Sequence, residues 1–563
     1  MLDNDAAVAL RVVGDEAARI ASSQVVAVTG QPFTQAMRVD VREAGSRPWS
    51  VLLVASPNSA VRKGDVLLLS FHVRCAESMT GEMIAGAQLE RNSGDWHKVL
   101  ELPVGARGEW ARIDIPGVAD LDLAAGESQV TIHLGHQRQS VEIGGLTLTN
   151  FGPNGDVTSL PRTRFSYDGR EVDAPWRAQA DRRIDEIRKA DLNVRVLDAA
   201  GMGVPGAAVH VRMKRHAFPF GTAVVVDEIL GSEPQNAQYR EKLVELFNAA
   251  VFENDTKWPA LDKPDGIERA LRALDWLDRQ GIATRGHVLV WPNFEWNPEW
   301  LRALSGDPEK LRTTVRDHVT NIASRFAGRF TDWDVLNEPF TNRDFATILG
   351  EAEYARWFDL SRSADPSAKR FINDFGILEG NAMDRAHIDH YEQTIRTLID
   401  QGAPLDGIGF QGHFGQLLTG PDVLLKTLDR FATFGKEMKI TELDINIDDP
   451  QLQADYLRDF LTVCFSHRQV TGVTQWGFWA SRHWRPRAAL FDADFTPRPA
   501  ALAYRDLVFK TWWTDETLTT DAQGNAAVRG FLGDYEITTP HADDQLRQVI
   551  ILSRAGATVT LRP

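Results

Sequence analysis

The feature that most constrains the fold is a regular alternation of short apolar runs and longer amphipathic stretches, from about Phe218 to about residue 515. Eight short runs have the composition of buried strands: FPFGTAVVV, AAVFEN, ATRGHVLVW, TDWDVLN, RFINDF, DGIGFQGH, MKITELDI and GVTQWGFWA. Each is followed by enough chain for a helix. Parallel strands need such crossovers, and eight repeats are typical of a (β/α)8 barrel. The sequence therefore predicts an α/β fold, a TIM barrel, over residues 216–515.

The segments before the barrel have a different pattern. Short alternating runs with turn residues between them occupy residues 20–150, as in GDVLLLSFHVRC and QVTIHLGHQRQSVEIGGLTLTNFG. Strands at this spacing without helices are typical of a β-sandwich, and we expect a jelly-roll-like one over residues 1–165. The stretch APWRAQADRRIDEIRKADL has apolar positions at helical spacing, which predicts a linker with one helix over residues 166–192.

Two further β-like segments flank the barrel. NVRVLDAAGMGVPGAAVHVRMK precedes it and TTDAQGNAAVRGFLGDYEITT follows it. We hypothesise that they pair into one small β-domain with the barrel inserted, with residues 193–215 as its first part and residues 516–563 as its second. Segments that lie in separate sheets would contradict this hypothesis.

Composition limits the possible partners. A formal charge of −16 with no Lys/Arg-rich run repels phosphate backbones, so nucleic acid is not an expected partner. No apolar run approaches the roughly 18 residues of a membrane helix, and the first twenty residues lack the features of a signal peptide. We expect either an internal protein or an export signal that is missing from this chain. Cys75 and Cys464 are predicted to be buried thiols rather than a disulfide.

Two carboxylates occupy matching places in the predicted barrel. In TDWDVLNEPF, Glu338 ends the fourth strand, because Pro339 cannot continue the ladder; in MKITELDINI, Glu442 ends the seventh strand. The carboxyl ends of barrel strands share one rim, where facing carboxylates are the arrangement of a retaining glycosidase. We assign the acid/base to Glu338 and the nucleophile to Glu442. The alternative is that each one caps the following helix.

These two motifs, with RGHVLVW and GIGFQGH in the same order, resemble those of glycoside hydrolase family 10, the endo-β-1,4-xylanases, over residues 218–515. The resemblance implies a retaining barrel enzyme that hydrolyses xylan or xylo-oligosaccharides without a cofactor and is secreted or periplasmic. It places the acid/base at Glu338 and the nucleophile at Glu442. Two alternatives are kept: the same barrel acting on another β-glycan or an aryl β-glycoside, and a non-catalytic glycan-binding protein.

The resemblance also implies a set of substrate-binding residues: Asn254, Lys257, His287, Trp291, Asn337, Gln411, His413, Trp476 and Trp484. Lys257 would bind sugar hydroxyls, His287 the sugar at the cleaved bond, and Asn337 the 2-hydroxyl. A solvated surface charge is the alternative for Lys257, and a core histidine is the alternative for His287.

A supporting contact follows from strand period. GFQGHF places Gln411 and His413 on one strand face, and TELD does the same for Glu442 and Asp444. This predicts that His413 bridges Glu442 and Asp444 and keeps the nucleophile ionised. The rival interpretation is a metal site, but no third ligand has suitable spacing, so no metal is predicted.

The tryptophans and the departures from the family pattern concern the rest of the cleft. Trp476 and Trp484 lie eight residues apart and match the walls of the catalytic subsite, whereas Trp479 is expected in the core. Pro292 stands where a second histidine is usual, and Phe294 stands near a position that is often polar. We therefore expect the glycone-side contacts to differ from the common pattern.

The first 165 residues resemble, by pattern, the carbohydrate-binding modules of families 4, 9 and 22. Such modules often hold a structural calcium ion, but the sequence gives no position for one and no binding residue. Its three tryptophans, Trp49, Trp96 and Trp110, are each expected in the core, since a sandwich needs large side chains inside.

Overall fold

A computed structural model of the chain describes residues 2, 10–78, 83–106, 108–163, 166–382, 384–415, 418–447, 449–541 and 544–563. The chain divides into two compact units, Met1–Ser166 with Ala382–Arg385 and Tyr167–Asn381 with Ala386–Pro563. We call the first the sandwich unit and the second the barrel unit. Cys75 is buried in the sandwich unit and Cys464 is buried in the barrel unit.

The sandwich unit consists of two five-stranded antiparallel sheets, ordered β1-β4-β9-β6-β7 and β2-β3-β10-β5-β8. Its elements are β1 (Arg11–Val13), α1 (Ala17–Ile20), β2 (Ala21–Ala27), β3 (Gln35–Val41), β4 (Leu52–Ala55), β5 (Val66–Ser78), β6 (Met83–Arg91), β7 (Lys98–Ala106), β8 (Ala111–Val118), β9 (Ser128–His133) and β10 (Gln139–Gly152). Alternate residues of strands from both sheets, such as Leu67, Leu69 and Phe71 on β5 and Ala85, Ala87 and Leu89 on β6, fill one core.

The expectation that the tryptophans of this unit lie in its core is wrong for two of the three. Trp49 is 48% exposed and Trp96 is 51% exposed. The interior is filled by aliphatic side chains and Phe71. Trp49 instead lies in the turn before β4 with its edge on His133, and Trp96 lies in the turn between β6 and β7. Trp110 is partly buried, against Phe33.

The barrel unit begins with α2 (Pro175–Arg188), β11 (Lys189–Val196) and β12 (Ala208–His216). The helix starts with a proline at its first position, where the missing N–H costs nothing. It buries Trp176, Ala180, Ile184 and Ile187, which follow the predicted helical spacing. The strand β11 begins at Lys189, within the segment assigned to the linker from the sequence.

Eight parallel strands then close into a barrel. They are β13 (Phe220–Val224), β14 (Ala249–Phe252), β15 (Ala283–Val290), β16 (Asp332–Asn337), β17 (Lys369–Asp374), β18 (Gly407–Phe410), β20 (Glu437–Ile445) and β21 (Val470–Gln475), and the short β19 (His413–Phe414) continues β18 after a break. Pairing of β21 with β13 and of β20 with β18 closes the ring. The predicted TIM barrel with an N-terminal antiparallel β region is confirmed.

Helices lie between the barrel strands: α3 (Val226–Leu230), α4 (Pro234–Leu246), α5 (Trp258–Leu261), α6 (Gly266–Arg279), α7 (Pro308–Arg325), α8 (Asp344–Leu349), α9 (Ala352–Ala364), α10 (Arg385–Asp400), α11 (Pro421–Ala432), α12 (Pro450–Ser466) and α13 (Pro499–Asp506), the last continued by a wider turn over Leu507–Thr511. No helix among the residues that the structure describes is long and apolar enough to span a membrane.

Five strands follow the barrel: β22 (Asp515–Thr519), β23 (Asn525–Phe531), β24 (Gly533–His541), β25 (Asp544–Leu552) and β26 (Ala557–Leu561). They form two sheets with the strands that precede the barrel, ordered β23-β11-β26 and β22-β12-β24-β25. Each flanking segment contributes strands to both sheets, so the chain leaves these sheets, completes the barrel and returns to them.

Candidate active site

Glu338 follows β16 at the carboxyl end of the barrel strands. Its φ of 54° lies in the left-handed region, where a side chain with a Cβ is strained. The backbone is held there from both sides, because Glu338 N donates to Asn373 O at 2.8 Å and Asn342 N donates to Glu338 O at 3.1 Å. The strand ladder stops at this point, which is the local reason that the carboxylate lies at the rim.

Four N–H donors surround the Glu338 carboxylate. Gln411 Nε2 and Asn337 Nδ2 donate to Oε1 at 2.8 and 3.3 Å. Trp291 Nε1 and Asn342 Nδ2 donate to Oε2 at 3.1 and 3.0 Å. Both oxygens are therefore fixed in position before any ligand arrives.

The protonation of Glu338 is set by burial more than by these donors. Burial, together with the nearby charges of Asp374 and Glu442, raises the pKa of Glu338 to about 7, against the hydrogen bonds from Gln411 and Trp291. A carboxyl group with this pKa still holds a proton near neutral pH and can act as a general acid.

Glu442 lies on β20 and lines the same cleft as Glu338. Its Oε1 accepts a hydrogen bond from Asn373 Nδ2 at 2.8 Å and lies 3.9 Å from His287 Nδ1. Burial alone would raise the pKa of Glu442, but the nearby imidazole of His287 and the hydrogen bond and charge of His413 lower it to about 2. This carboxylate is ionised at the pH at which Glu338 is protonated.

A shared amide connects the two carboxylates. Asn373 Nδ2 donates both to Glu442 and to Asn337 Oδ1, the latter at 2.9 Å, and Asn337 in turn donates to Glu338. The two acids therefore belong to one hydrogen-bonded network at the mouth of the barrel.

His413 lies between Glu442 and Asp444. Its Nε2 is 3.3 Å from Glu442 Oε2, and its Nδ1 is 2.8 Å from Asp444 Oδ2. Burial opposes a charged ring, but the two carboxylates raise the pKa of His413 to about 10. Asp444 is also held by Trp484 Nε1 at 2.8 Å and by Arg485 Nη1 at 3.1 Å, so the imidazolium is fixed in position. This is the contact pattern that the strand period predicts.

One cleft brings the candidate residues together. It is lined by Glu338 and Glu442 and by all nine residues predicted to bind substrate: Asn254, Lys257, His287, Trp291, Asn337, Gln411, His413, Trp476 and Trp484. Asp444 lies behind His413 rather than in the lining. Their roles stay predictions, since no ligand contact is described.

The aromatic walls differ in exposure. Trp476 is buried with its ring centroid 5.3 Å from that of His287, whereas Trp484 is half exposed at 4.9 Å from His413. Trp479 is buried against Phe495, away from the cleft lining.

Lys257 lies at the other side of the cleft. Its Nζ donates to Asn254 Oδ1 at 3.0 Å and lies 5.2 Å from the centroid of the Trp291 ring. Burial lowers the pKa of Lys257, against the attraction of the carboxylates of Glu442 and Glu253. A cation placed this way is not a freely solvated surface charge.

Several site residues were not identified from the sequence. Asn373 and Asn342 each donate to a catalytic-candidate carboxylate, and Asp334 holds His287 Nδ1 at 2.9 Å and pairs with Arg285. A polar residue inside an apolar strand, as in DWDVLN and FINDF, is the signal for Asp334 and Asn373. Asn342 has no such signal, because it reaches Glu338 through the turn after the strand.

In the described part of the chain, no group of three or more His, Cys, Asp or Glu side chains is arranged so that it could hold a metal ion. The calcium ion expected for the sandwich unit therefore has no assigned ligands.

Comparisons with known proteins agree on one family. The model of Glycosyl hydrolase family 10 matches residues 210–507, more than half of the chain. The Anti-sigma-I factor RsgI6 of Acetivibrio thermocellus is 33% identical over 68% of this chain and 49% of its own length. Endo-1,4-beta-xylanase 1 of Arabidopsis thaliana is 29% identical over 63% of this chain and 37% of its own length. Endo-1,4-beta-xylanase 3 of Hypocrea jecorina is 33% identical over 46% of this chain and 76% of its own length. The chain spans less than half the length of the first two.

Proposed function

Because this chain belongs to glycosyl hydrolase family 10, we propose that it is a retaining endo-β-1,4-xylanase, which hydrolyses the xylan backbone through a glycosyl-enzyme intermediate. The observation that carries the proposal is the opposite pKa shift of two carboxyl groups in one cleft. The pKa of Glu338 is raised to about 7 and that of Glu442 is lowered to about 2. One acid and one nucleophile are what double displacement needs.

In the first step, a Glu442 oxygen attacks the anomeric carbon while the bond to the leaving sugar breaks. Glu338 gives its proton to the departing glycosidic oxygen and becomes a carboxylate. In the second step, Glu338 takes a proton from water, the hydroxide oxygen bonds to the anomeric carbon, and Glu442 leaves as a carboxylate. Both carboxyl groups return to their starting states, so the reaction as written needs no cofactor.

The other cleft residues have supporting roles in this proposal. Asn337 binds the 2-hydroxyl, a contact that strengthens as charge develops on the ring. His287 binds the sugar at the cleaved bond, while Asn254 and Lys257 bind the next sugar. His413 and Asp444 keep Glu442 ionised, because a fixed imidazolium favours the carboxylate form.

Two wider statements belong to the same proposal. Xylan is an extracellular polymer, so we place the protein outside the cytoplasm, secreted or periplasmic. The sandwich unit is proposed to bind glycan, and isothermal titration of that unit with xylan tests this directly.

The deciding experiment is incubation of the protein with xylan and with mixed-linkage β-glucan, followed by sizing of the products. We expect xylo-oligosaccharides of mixed length, and a Glu442→Ala variant that folds normally but releases none. Preferential release of gluco-oligosaccharides would show that the substrate is β-glucan rather than xylan. A Glu442→Ala variant as active as the parent would remove the mechanism.

A further inference from the structure

Trp296 is a large aromatic side chain that lies exposed at the edge of the cleft. Trp296 is 48% exposed, and it lines the cleft together with Glu295 and Lys263. Its ring stacks on that of Trp291, with centroids 5.2 Å apart and planes 20° apart. Because Trp291 Nε1 donates to Glu338, Trp296 is one indole further from the proposed acid.

The loop that carries Trp296 is locked by buried amides. Asn293 Oδ1 accepts a hydrogen bond from Trp296 N at 2.9 Å, and Asn297 Nδ2 donates to the carbonyl oxygens of Trp291 and Asn293, both at 2.7 Å. Asn293 and Asn297 are each more than nine-tenths buried. An exposed indole on a rigid loop loses little conformational entropy when it binds a ligand.

We propose that Trp296 forms a further sugar-binding subsite, which takes the apolar face of an additional pyranose in a β-1,4-linked chain. The subsite lies in the part of the cleft lined by the segments after β14 and β15, and the segment after β14 also contributes Lys257 and Ala260 to the lining. Pyranose rings present C–H groups on one face, and an indole face packs against them. This inference rests on the proposed function, which identifies the β-1,4-linked sugar polymer as xylan.

The consequence concerns chain length. A substrate long enough to reach Trp296 gains a contact that a short substrate lacks. We therefore expect the protein to prefer longer xylo-oligosaccharides, with the preference carried by this side chain.

The chain offers a matched control in Trp300. It is also 48% exposed and lies a few residues further along, but its Nε1 donates to Asp262 Oδ2 at 2.9 Å and it does not belong to the described cleft lining. The comparison uses Trp296→Ala and Trp300→Ala, with Trp296→Phe as the conservative variant. Thermal unfolding of each variant checks that the fold is retained.

We expect Trp296→Ala to lower kcat/KM for xylohexaose roughly tenfold, mainly through KM, and to leave an aryl β-xylobioside within about twofold, since one aromatic contact is of this size. Trp296→Phe should recover most of the loss, and Trp300→Ala should match the parent. Equal losses on long and short substrates, or an equal loss in Trp300→Ala, would overturn the subsite.

A binding measurement separates this inference from the proposed function. Xylohexaose and cellohexaose are titrated into Glu442→Ala with and without Trp296→Ala. If the parent does not cleave xylan but Trp296→Ala weakens cellohexaose binding, the proposed substrate is wrong and the subsite stands. If xylan is cleaved but neither affinity nor kcat/KM changes, the subsite is wrong. Absence of measurable affinity of Glu442→Ala for both glycans also contradicts it.

Discussion

At the scale of single residues, Glu338 and Glu442 differ in the neighbours that contact their carboxylates. Glu338 is surrounded by neutral N–H donors and lies near other acids, whereas Glu442 lies near His287 and His413. Neutral donors only partly offset the cost of burying a charge, but a cation removes it. The same type of side chain can therefore be an acid directly after one strand and a nucleophile within another.

The activity should depend on pH through these two groups. The protonated form of Glu338 is lost as the pH rises through about 7, and the ionised form of Glu442 is lost only as the pH falls towards about 2. We therefore expect kcat/KM on xylohexaose to decline above about pH 7 and to persist well into the acid range. An aryl xyloside with a good leaving group should show a weaker alkaline decline, because it needs little protonation. An alkaline decline that already begins below pH 5, where Glu338 should still be protonated, would contradict the assignment.

Asn342 should tune the acid without touching the substrate. Its Nδ2 donates to Glu338 Oε2 and favours the ionised form, so Asn342→Ala should raise the pKa of Glu338. We expect the alkaline limb to move up by about one to two pH units, since a hydrogen bond to a charged group contributes about 1.5–3 kcal/mol and one pKa unit corresponds to about 1.4 kcal/mol. Thr341→Ala is the control, because Thr341 accepts from the same amide, Asn342 Nδ2, at 2.9 Å and has no described hydrogen bond to the Glu338 carboxylate. A limb that stays in place, or moves down, would exclude this role.

At the scale of elements, close packing between barrel strands fixes where the site residues lie. Gly286 on β15 faces Trp333 on β16, and a Cβ there would lie 2.3 Å from Trp333 Cε3. Trp333 is fully buried and packs edge-on against Phe330, so it has no space to move. This contact lies between the strand that carries His287 and the strand that ends directly before Glu338.

Gly286→Ala should therefore destabilise the barrel unit. Overpacking of a filled core costs about 1–3 kcal/mol, and we expect denaturant unfolding to show a loss of this size. Gly306→Ala is the matched control, because no described atom outside its neighbours lies within 4 Å of the Cβ that it would add. Equal stability of the two variants would mean that β15 and β16 shift apart at little cost.

The same elements show how far the sequence reaches. The barrel strands and the position of Glu338 directly after β16 could be predicted, because buried parallel strands are continuous apolar runs and their ends share one rim. The prediction that Glu442 ends its strand is wrong, because β20 continues to Ile445. The contact of His413 with Asp444 followed from strand period alone. Asn342 could not be found, because its reach depends on the left-handed φ of Glu338. The exposure of Trp49 and Trp96 could not be found either, because composition does not show which side chains fill a core.

At the scale of the whole molecule, the barrel unit is closed by strands that are distant in sequence. β12 lies between β22 and β24, and β11 lies between β23 and β26. Both neighbours of both early strands therefore come from the chain that follows the barrel. Val209 and Val211 on β12 are fully buried, and their strand pairs on both sides with this late segment.

Removal of residues 515–563 should therefore do more than shorten the protein, since β11 and β12 would lose every sheet partner and expose apolar edges, which promote aggregation. A shorter truncation of residues 553–563 removes only β26, one neighbour of β11. We expect the shorter truncation to remain soluble with a Tm lowered by a few degrees, since each kcal/mol of lost stability corresponds to only about 1–2 °C in a unit of this size. The longer truncation should aggregate or lose its cooperative transition. If the longer truncation has the same Tm as the intact chain, β11 and β12 do not need these later strands for their stability.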